Sequence, residues 1–439
     1  MREIGIGLLG IGTVGGGVLK IYGRHRADLE GRAGCQLRLV AAAARDITSA
    51  RPGLVPGEWP LTADPERVVT DPAVALVIEL IGGLEPARTL VLRALAAGKH
   101  VVTANKALLA THGPELFDEA RRRGVLLGFE AAVAGGVPII GALRDGLAAN
   151  RILFLYGIIN GTANFILTRM THEGREFAEA LQEAQAAGYA EADPTLDVDG
   201  IDSAHKLQIL AALAFRTRVE PKDVYTEGIR GVTPAEIATA RDLGYQIKLL
   251  AIAKATDGAL EARVHPTLIP TGSPLAAVSG VFNAILVAGD AAGEQMFYGR
   301  GAGQLPTASA VWSDAIEIAR RIAYGHVALP DDFPLAAPAA LRIRPMEEVR
   351  SAYYLRVMAQ DRPGVLAQVA GILGRHDISI VSVIQKGRAR AAAVPVVMMT
   401  HDACERDLRN ALQEIDRLPV VAAPTIMMRV EPPPEEPGG

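Results

Sequence analysis

The segment Gly188-Tyr189-Ala190-Glu191-Ala192-Asp193-Pro194-Thr195-Leu196-Asp197-Val198-Asp199-Gly200-Ile201-Asp202-Ser203-Ala204-His205-Lys206 crowds five carboxylates into a short loop that runs into a helix. Several oxygen acceptors close together suit an amino-acid ammonium group. A lysine beside them suits proton transfer to or from an alcohol oxygen. Helical spacing puts Lys206 on the same face as Asp202, in line with Leu210 and Leu213. That line faces a core, where a lysine needs a partner or a task. Asp199 is placed to cap the helix, and Asp202 sits in its first turn, where the dipole favours an acid. The plainer alternative is a capped helix with one Asp–Lys pair on a solvated face; the density of carboxylates weighs against it. A second lysine, Lys106, ends the run Thr103-Ala104-Asn105-Lys106 directly after an apolar strand. Strand ends of an open α/β sheet line its ligand crevice, although a loop lysine on the surface would look the same in sequence.

These residues need elements to hold them. Residues 4–9 read as a buried strand, 14–22 as a helix and 36–43 as a second strand. Further strands are expected at 76–80, 100–103 and 125–129, with helices over 87–97 and after Pro114 between them. Alternating strands and helices imply a parallel sheet covered on both faces. Gly10-Ile11-Gly12-Thr13-Val14-Gly15 joins the first strand to the first helix, the context that gives G-x-G-x-x-G its meaning. Gly10 permits the tight turn, Gly12 lets a pyrophosphate approach the backbone, and Gly15 lets the helix pack on the strand. With Thr13 and Val14 the helix start offers free N–H groups to the phosphates. At the end of the second strand stand Ala44-Arg45-Asp46; Arg45 favours a 2′-phosphate and so NADP, Asp46 argues for NAD, and the lean is to NADP.

Beyond residue 130 the rhythm becomes α+β. Helices are expected over 138–147, 177–187 and 201–215, and strands over 151–159, 265–269 and 282–288. The long helix 305–325 should pack back on the first domain. Four prolines between 330 and 345 mark 331–350 as an extended linker. After it, strand 353–360, helix 364–375, strands 378–386 and 394–400, helix 405–417 and strand 422–430 follow the split order βαββαβ. The Pro- and Glu-rich tail 431–439 should be disordered. The expected organisation is a dinucleotide-binding domain at 1–130, a substrate and dimerisation domain at 131–304, and a small third domain at 351–430.

A net charge of -4 with no basic stretch leaves no footprint for nucleic acid. No apolar run reaches the ~18–20 residues of a membrane span, so no membrane partner is expected. Cys35 and Cys404 cannot build a disulfide framework, which fits a cytoplasmic chain, and the nine histidines fall into no metal-ligand spacing.

In order along the chain, Gly10–Gly15, Glu79-Leu80-Ile81-Gly82-Gly83, Thr103–Lys106, Asn160-Gly161-Thr162-Ala163-Asn164-Phe165-Ile166-Leu167, Gly188–Lys206 and Gly299-Arg300-Gly301-Ala302-Gly303 resemble homoserine dehydrogenase. The resemblance covers about residues 3–325; the block ending in Lys206 is its most specific part. It implies a Rossmann-type doubly wound parallel sheet and an α+β catalytic domain. The reaction implied is reversible hydride transfer between L-homoserine and L-aspartate 4-semialdehyde with NAD(P), in threonine, methionine and isoleucine biosynthesis. Lys206 then matches the proton donor and acceptor, and Lys106 the lysine that contacts substrate near the nicotinamide. Glu191, Asp202 and Asp197 match substrate-binding carboxylates; Thr103, Gly188 and Gly303 match positions lining the cofactor. Glu130-Ala131-Ala132-Val133-Ala134-Gly135-Gly136-Val137 resembles a sodium-holding loop, with ligands from Glu130, Val133, Gly135 and Val137. The family also implies a homodimer or larger assembly. Asp361-Arg362-Pro363-Gly364-Val365 resembles the ligand-binding turn of an ACT domain, with Asp361, Gly364 and Val365 facing an amino-acid effector such as threonine. Removal of everything after about Arg350 is expected to spare catalysis and abolish that response. Two competing readings are a dehydrogenase of another small amino or hydroxy acid and a non-catalytic sensor on a dehydrogenase scaffold. The acidic block argues against the first, and retention of both lysines against the second.

Overall fold

The computed structural model describes residues 2–47, 59–325, 341–385 and 393–431. The chain folds into two compact units that alternate in sequence. The first comprises Met1–Gly161, Ile201–Val224 and Val281–Leu341; the second comprises Thr162–Gly200, Tyr225–Gly280 and Arg342–Gly439.

The first unit is built on six parallel strands: β1 (Glu3–Leu9), β2 (Gln36–Ala43), β3 (Leu61–Thr62), β4 (Leu76–Glu79), β5 (His100–Thr103) and β6 (Leu127–Gly128). Their order is β3-β2-β1-β4-β5-β6, parallel at every junction. The direction of winding reverses between β1 and β4, so the crevice at their carboxyl ends is the expected ligand position. β4 and β5 are buried at every residue. Strands covered on both faces lose the alternation of half-exposed ones and read as short apolar runs. The two-residue β3 carries too little pattern to be found in sequence.

The helix Thr13–Ala33 runs well past the expected 14–22. Its later part is mostly exposed and polar, so apolar periodicity gives no sign of it. The helix Gln304–Tyr324 lies along it. A Cβ at Gly17 would come within 2.4 Å of the Gln304 carbonyl oxygen, so only glycine allows that approach. Trp312 donates Nε1–H to the Val18 carbonyl at 3.0 Å and stacks on Tyr22 with ring centroids 5.6 Å apart. A late segment therefore completes the core over β1 and β2. The unit also holds an antiparallel sheet of Ile152–Ile158, Phe282–Gly289 and Gly293–Arg300.

In the second unit the hairpin Tyr245–Thr256 and Ala259–Pro270 pairs over twelve residues. The sequence suggests only 265–269 of it, because Ala259–Ile269 is buried throughout and shows no period. After residue 350 come strand Arg350–Gln360, helix Val365–Arg375, strands Ile380–Gln385 and Ala393–Thr400, helix Glu405–Asp416 and strand Val421–Val430. This is the βαββαβ order, and its last strand also pairs in parallel with the hairpin through Thr267–Arg429 and Leu268–Val430. One sheet thus serves both parts of the unit. Of the segment read as a linker, 331–340 lies outside the described residues. Arg342–Ile343 adds a short parallel strand to Ala259–Leu260. The tail 432–439 likewise lies outside the described residues.

A buried charged cluster fastens this sheet. Arg263 donates to Glu431 at 2.9 Å and to Glu261 at 3.3 Å. Arg429 donates to Glu405 at 2.6 Å and to Glu227 at 2.9 Å, while the Tyr353 hydroxyl donates to Glu405 at 2.9 Å. Charges as desolvated as those of Arg263, Arg429 and Glu405 persist only when each is paired.

His100 on β5 yields a stability prediction. Its Nδ1 accepts the Leu126 N–H at 3.0 Å, and burial lowers its pKa from 6.5 to about 4. Between those values the unfolded chain takes up a proton that the native ring refuses, so acidification favours unfolding there. The wild type should lose about 3 kcal/mol from this one group as pH falls from 6.5 to about 4, at ~1.4 kcal/mol for each pH step of one. Denaturant titrations of wild type and His100→Asn at both ends of that window should show a steeper loss in the wild type. Parallel pH dependence in the two proteins would refute it.

Candidate active site

The glycine turn stands where the parallel sheet reverses its winding. Gly10 adopts φ 94°, and a Cβ there would meet the Leu80 carbonyl oxygen at 2.6 Å. A Cβ on Gly15 would lie 2.1 Å from the Gly10 carbonyl oxygen, whereas the space over Gly12 is open. The three glycines thus divide the work as their spacing suggests: turn, open approach and tight packing. Thr13 opens the helix, with Val14 half-buried behind it. A cleft of about 590 Å³ begins at this turn, lined among others by Gly10, Gly12, Arg45, Asp46, Ile81 and Gly82. Its size suits a cofactor-class ligand. Arg45 is therefore placed on the same cleft as the glycines.

Two helices of the same unit bring the lysines together. Lys106 is the first residue of Lys106–Arg123, whose N-cap Asn105 accepts the Leu108 N–H through its side chain at 3.1 Å. Lys206 lies in Ile201–Phe215 and is buried, as its line with Leu210 suggests. Between them sits Asp202, 4 % exposed. Its Oδ2 receives Lys206 Nζ at 2.7 Å and Asn160 Nδ2 at 2.9 Å, and its Oδ1 pairs with Lys106 Nζ. Lys206 Nζ also donates to the Ile159 carbonyl at 2.7 Å. Burial would raise the Asp202 carboxyl, but the ammonium groups of Lys206 and Lys106 outweigh it and hold the group well below the usual carboxylate range. Lys106 remains 40 % exposed, so this end of the triad is open to an incoming molecule.

The remaining acids of the block belong to the second unit. Helix Phe177–Ala186 ends at Gly188, φ 74°, where the acidic loop begins. The carbonyls of Glu191 and Ala192 accept from Gln185 Nε2, and Asp193 accepts the Thr195 N–H at 3.1 Å. The Glu191 side chain is exposed; Asp197 is half-buried in the turn Thr195–Val198. Asp199, expected as a helix cap, is paired with Arg230.

Elsewhere in the first unit, Gly303 precedes the helix Gln304–Tyr324 at φ 133°. The loop after β6 buries Glu130, Val133, Gly135 and Val137, with left-handed Ala134 and Gly135 at φ 54° and 52°. The Glu130 carboxylate accepts the N–H groups of Ile140 and Gly141 at 2.9 and 2.7 Å, so it caps the short helix Ile139–Gly141. Among the described residues no cluster of three or more His, Cys, Asp or Glu could hold a metal ion. In the C-terminal fold, Gly364 adopts φ 88° before Val365–Arg375, and Asp361 accepts from Gln385 Nε2 at 3.2 Å.

Three participants escape the sequence reading. Asn160 and the Ile159 carbonyl touch the triad, yet a polar Asn-Gly pair after a strand reads as a turn. Glu79, fully buried at the end of β4, accepts from Thr103 and from the backbone of Ile81 and Gly82. Burial raises its carboxyl, against the pull of those hydrogen bonds. A charged residue closing an apolar strand was the available signal, the same one that singles out Lys106.

Comparison with known proteins finds relatives along nearly the whole chain. Residues 10–130 match the family described as "Homoserine dehydrogenase, NAD binding domain", residues 138–316 match "Homoserine dehydrogenase", and residues 353–420 match "ACT domain". A homoserine dehydrogenase of Pseudomonas aeruginosa is 47% identical, covering 98% of this chain and 99% of the relative. One from Neisseria gonorrhoeae is 45% identical over the same share of both chains. The crystal structure of a homoserine dehydrogenase from Thiobacillus denitrificans superposes with a TM-score of 0.93 at 49% identity, covering 98% of this chain and 99% of that one. A hyperthermophilic archaeal homoserine dehydrogenase mutant in complex with NADPH matches at a TM-score of 0.62 and 27% identity, over 72% of this chain and 98% of its own. With its parallel sheet, its C-terminal ACT fold and near full-length identity to these relatives, the chain belongs to the homoserine dehydrogenase family of NAD(P)-dependent oxidoreductases.

Proposed function

We propose that this chain interconverts L-homoserine and L-aspartate 4-semialdehyde, with NADP as its preferred dinucleotide over NAD. The observation that carries the reading is the buried carboxylate of Asp202 held between the amines of Lys106 and Lys206. When bound, the nicotinamide supplies the capacity to accept or return a hydride. Lys206 moves the proton on and off the substrate's reacting oxygen. Lys106, more open, contacts that oxygen and stabilises its developing negative charge. Two ammonium groups around one carboxylate leave net positive charge where alkoxide character grows. Asp202 serves the substrate through the lysines it holds; by the family resemblance, Glu191 and Asp197 match carboxylates suited to the substrate ammonium.

Gly10, Gly12, Thr13, Val14 and Gly15 take the pyrophosphate at the helix start. Arg45, on the cleft that begins there, takes the 2′-phosphate. By the family resemblance Lys106, Gly188 and Gly303 match positions along the remainder of the cofactor, whereas Thr103 is fully buried and serves through its bond to Glu79. The NADPH held by the archaeal relative supports this choice. Backbone carbonyls of Glu130, Val133, Gly135 and Val137 would hold a sodium ion. Hard oxygen donors suit it; the Glu130 carboxylate is engaged by two amides, and its carbonyl accepts the Val133 N–H at 3.4 Å, which leaves that oxygen one lone pair for an ion. In the ACT fold, Asp361, Gly364 and the Val365 N–H would take an amino acid such as threonine as a feedback effector. Terminal strand Gly293–Arg300 exposes Met296 and Tyr298, which supports pairing of two copies into a homodimer. Among the described residues no helix is long and apolar enough to cross a membrane, and a biosynthetic dehydrogenase with free cysteines fits the cytoplasm.

Homoserine oxidation, followed by the absorbance of the reduced nicotinamide, is the direct test. NADP should outperform NAD, and Lys206→Ala should lower kcat by at least ~10²-fold, the scale of a lost general acid and base. A folded Lys206→Ala enzyme with near-normal turnover removes Lys206 from the chemistry.

Asp202→Asn keeps the shape but discards the charge that fixes both amines. It should lower kcat strongly, and Tm with it, since two ammonium groups then face each other with no carboxylate between them. Unchanged kinetics would show that the lysines need no such anchor.

The effector reading calls for a point variant. Deletion after Arg350 would strip the strand that pairs with Ala259–Pro270 and remove the Glu431 partner of buried Arg263, so catalysis cannot be expected to survive it intact. Asp361→Ala should abolish inhibition by threonine and leave turnover without threonine unchanged. Inhibition persisting at the wild-type concentration would place the effector elsewhere.

A further inference from the structure

Glu79 closes a ring of hydrogen bonds that the reaction scheme does not use. Its Oε1 accepts the Ile81 N–H at 2.7 Å and the Gly82 N–H at 3.4 Å. Its Oε2 accepts the Thr103 hydroxyl at 2.6 Å. The same Thr103 oxygen accepts the Asn105 N–H at 3.0 Å, and Asn105 Nδ2 returns to the Gly83 carbonyl at 2.7 Å. Asn105 in turn caps the helix that Lys106 begins. Ile81 and Gly82 line the dinucleotide cleft, and the loop turns through two left-handed glycines, Gly82 at φ 81° and Gly83 at φ 69°, residues that lose the most conformational freedom when ordered. A buried carboxylate with both oxygens engaged joins the ends of β4 and β5 to these two loops, beside the direct Asn105–Gly83 bond.

We propose that Glu79 is a positioning residue for the reaction: it locks the cofactor-side loop at Ile81–Gly83 to the Thr103–Asn105 turn and so fixes where Lys106 stands relative to the cleft. The inference rests on the function proposed above. Loss of the carboxylate frees both loops at once, so dinucleotide affinity and turnover fall together. A residue that merely completed a strand end would lower stability and leave the kinetics of the folded enzyme alone.

Glu79→Asp is the decisive variant. It keeps charge and burial but shortens the reach by one methylene, so both loops cannot be held simultaneously. The measurements are the NADP dissociation constant by fluorescence titration, kcat and KM for homoserine, and Tm. Glu79→Asp should weaken NADP binding and lower kcat, each by about tenfold, the scale of one lost hydrogen bond to a charged group. KM for homoserine should move far less. Glu79→Gln, which can bond both loops through its amide, should recover most of the affinity and turnover. Combining Glu79→Asp with Asn105→Ala should cost less than the sum of the single changes, because both break one ring. Glu79→Asp with wild-type affinity and kcat, or strictly additive losses in the double variant, overturns the proposal. The binding measurement does not depend on turnover. A wild type that binds NADP but leaves homoserine untouched therefore refutes the function alone, while its Glu79 variants still decide the positioning role.

Discussion

One buried carboxylate, shared by two amines, is the constraint around which the catalytic half of the molecule is arranged. Asp202 is almost fully removed from water and meets Lys206 on one oxygen and Lys106 on the other. Such a group is tolerated only when its partners are in place, and removing one partner of a buried pair typically costs ~3–5 kcal/mol. The interaction therefore specifies geometry more than it adds stability. Helix Ile201–Phe215 must lie against helix Lys106–Arg123 with a fixed register. A second tie sets that register further along, where Gln208 Nε2 donates to the Ala110 and Val219 carbonyls at 3.0 Å. Two ties a turn and more apart fix the helices that carry the two lysines.

The nucleotide-binding sheet supplies the other half of the geometry, and glycine decides how. Without the left-handed Gly10 the chain could not turn against the Leu80 carbonyl, and without Gly17 the helix Gln304–Tyr324 could not approach as closely as it does. That helix brings Trp312 onto Tyr22 and closes a core that the first 130 residues cannot close alone. Separation in sequence is thus the price of a chain that leaves the nucleotide domain, builds other structure and returns.

Much of the first unit's sheet is legible because each strand is a bounded apolar run with a turn at its end. β2 and β5 fall on the residues their composition marks, and Gly188 ends its helix as a C′ glycine should. What escapes has a physical cause in each case. The hairpin Tyr245–Thr256 and Ala259–Pro270 is too buried to alternate, and the second half of Thr13–Ala33 is too exposed to show a period. In the site, Lys206 announces itself as a charge on a core-facing line, Asp202 as an acid one turn before it, and Lys106 as a cation directly after an apolar strand. Asn160 and the Ile159 carbonyl do not, since one is an ordinary turn residue by type and the other belongs to the backbone. Asn160 falls within a stretch that resembles the family, but the resemblance gives it no role. Sequence reads charge out of place well; it reads acceptors supplied by the main chain not at all.

The C-terminal fold is continuous with its neighbours in a way that bears on regulation. Its last strand extends the sheet of the hairpin, and Arg429 on that strand binds Glu405 of the ACT helix on one side and Glu227 on the other. Just beyond Glu227, the Ile229 N–H donates to the Val198 carbonyl at 2.8 Å, and Arg230 pairs with Asp199. A Cβ at Gly228 would meet the Val198 carbonyl oxygen at 2.3 Å, so this approach is as close as backbone permits. An unbroken run of contacts inside one compact unit therefore leads from the ACT sheet to the acidic loop. Contact alone transmits nothing; an effector shifts the loop only by the difference in its affinity for two arrangements of that run. The element most apt to have two arrangements is the half-exposed ion pair of Arg230 and Asp199, because it can break into water at little cost, whereas Arg429 and Glu405 cannot.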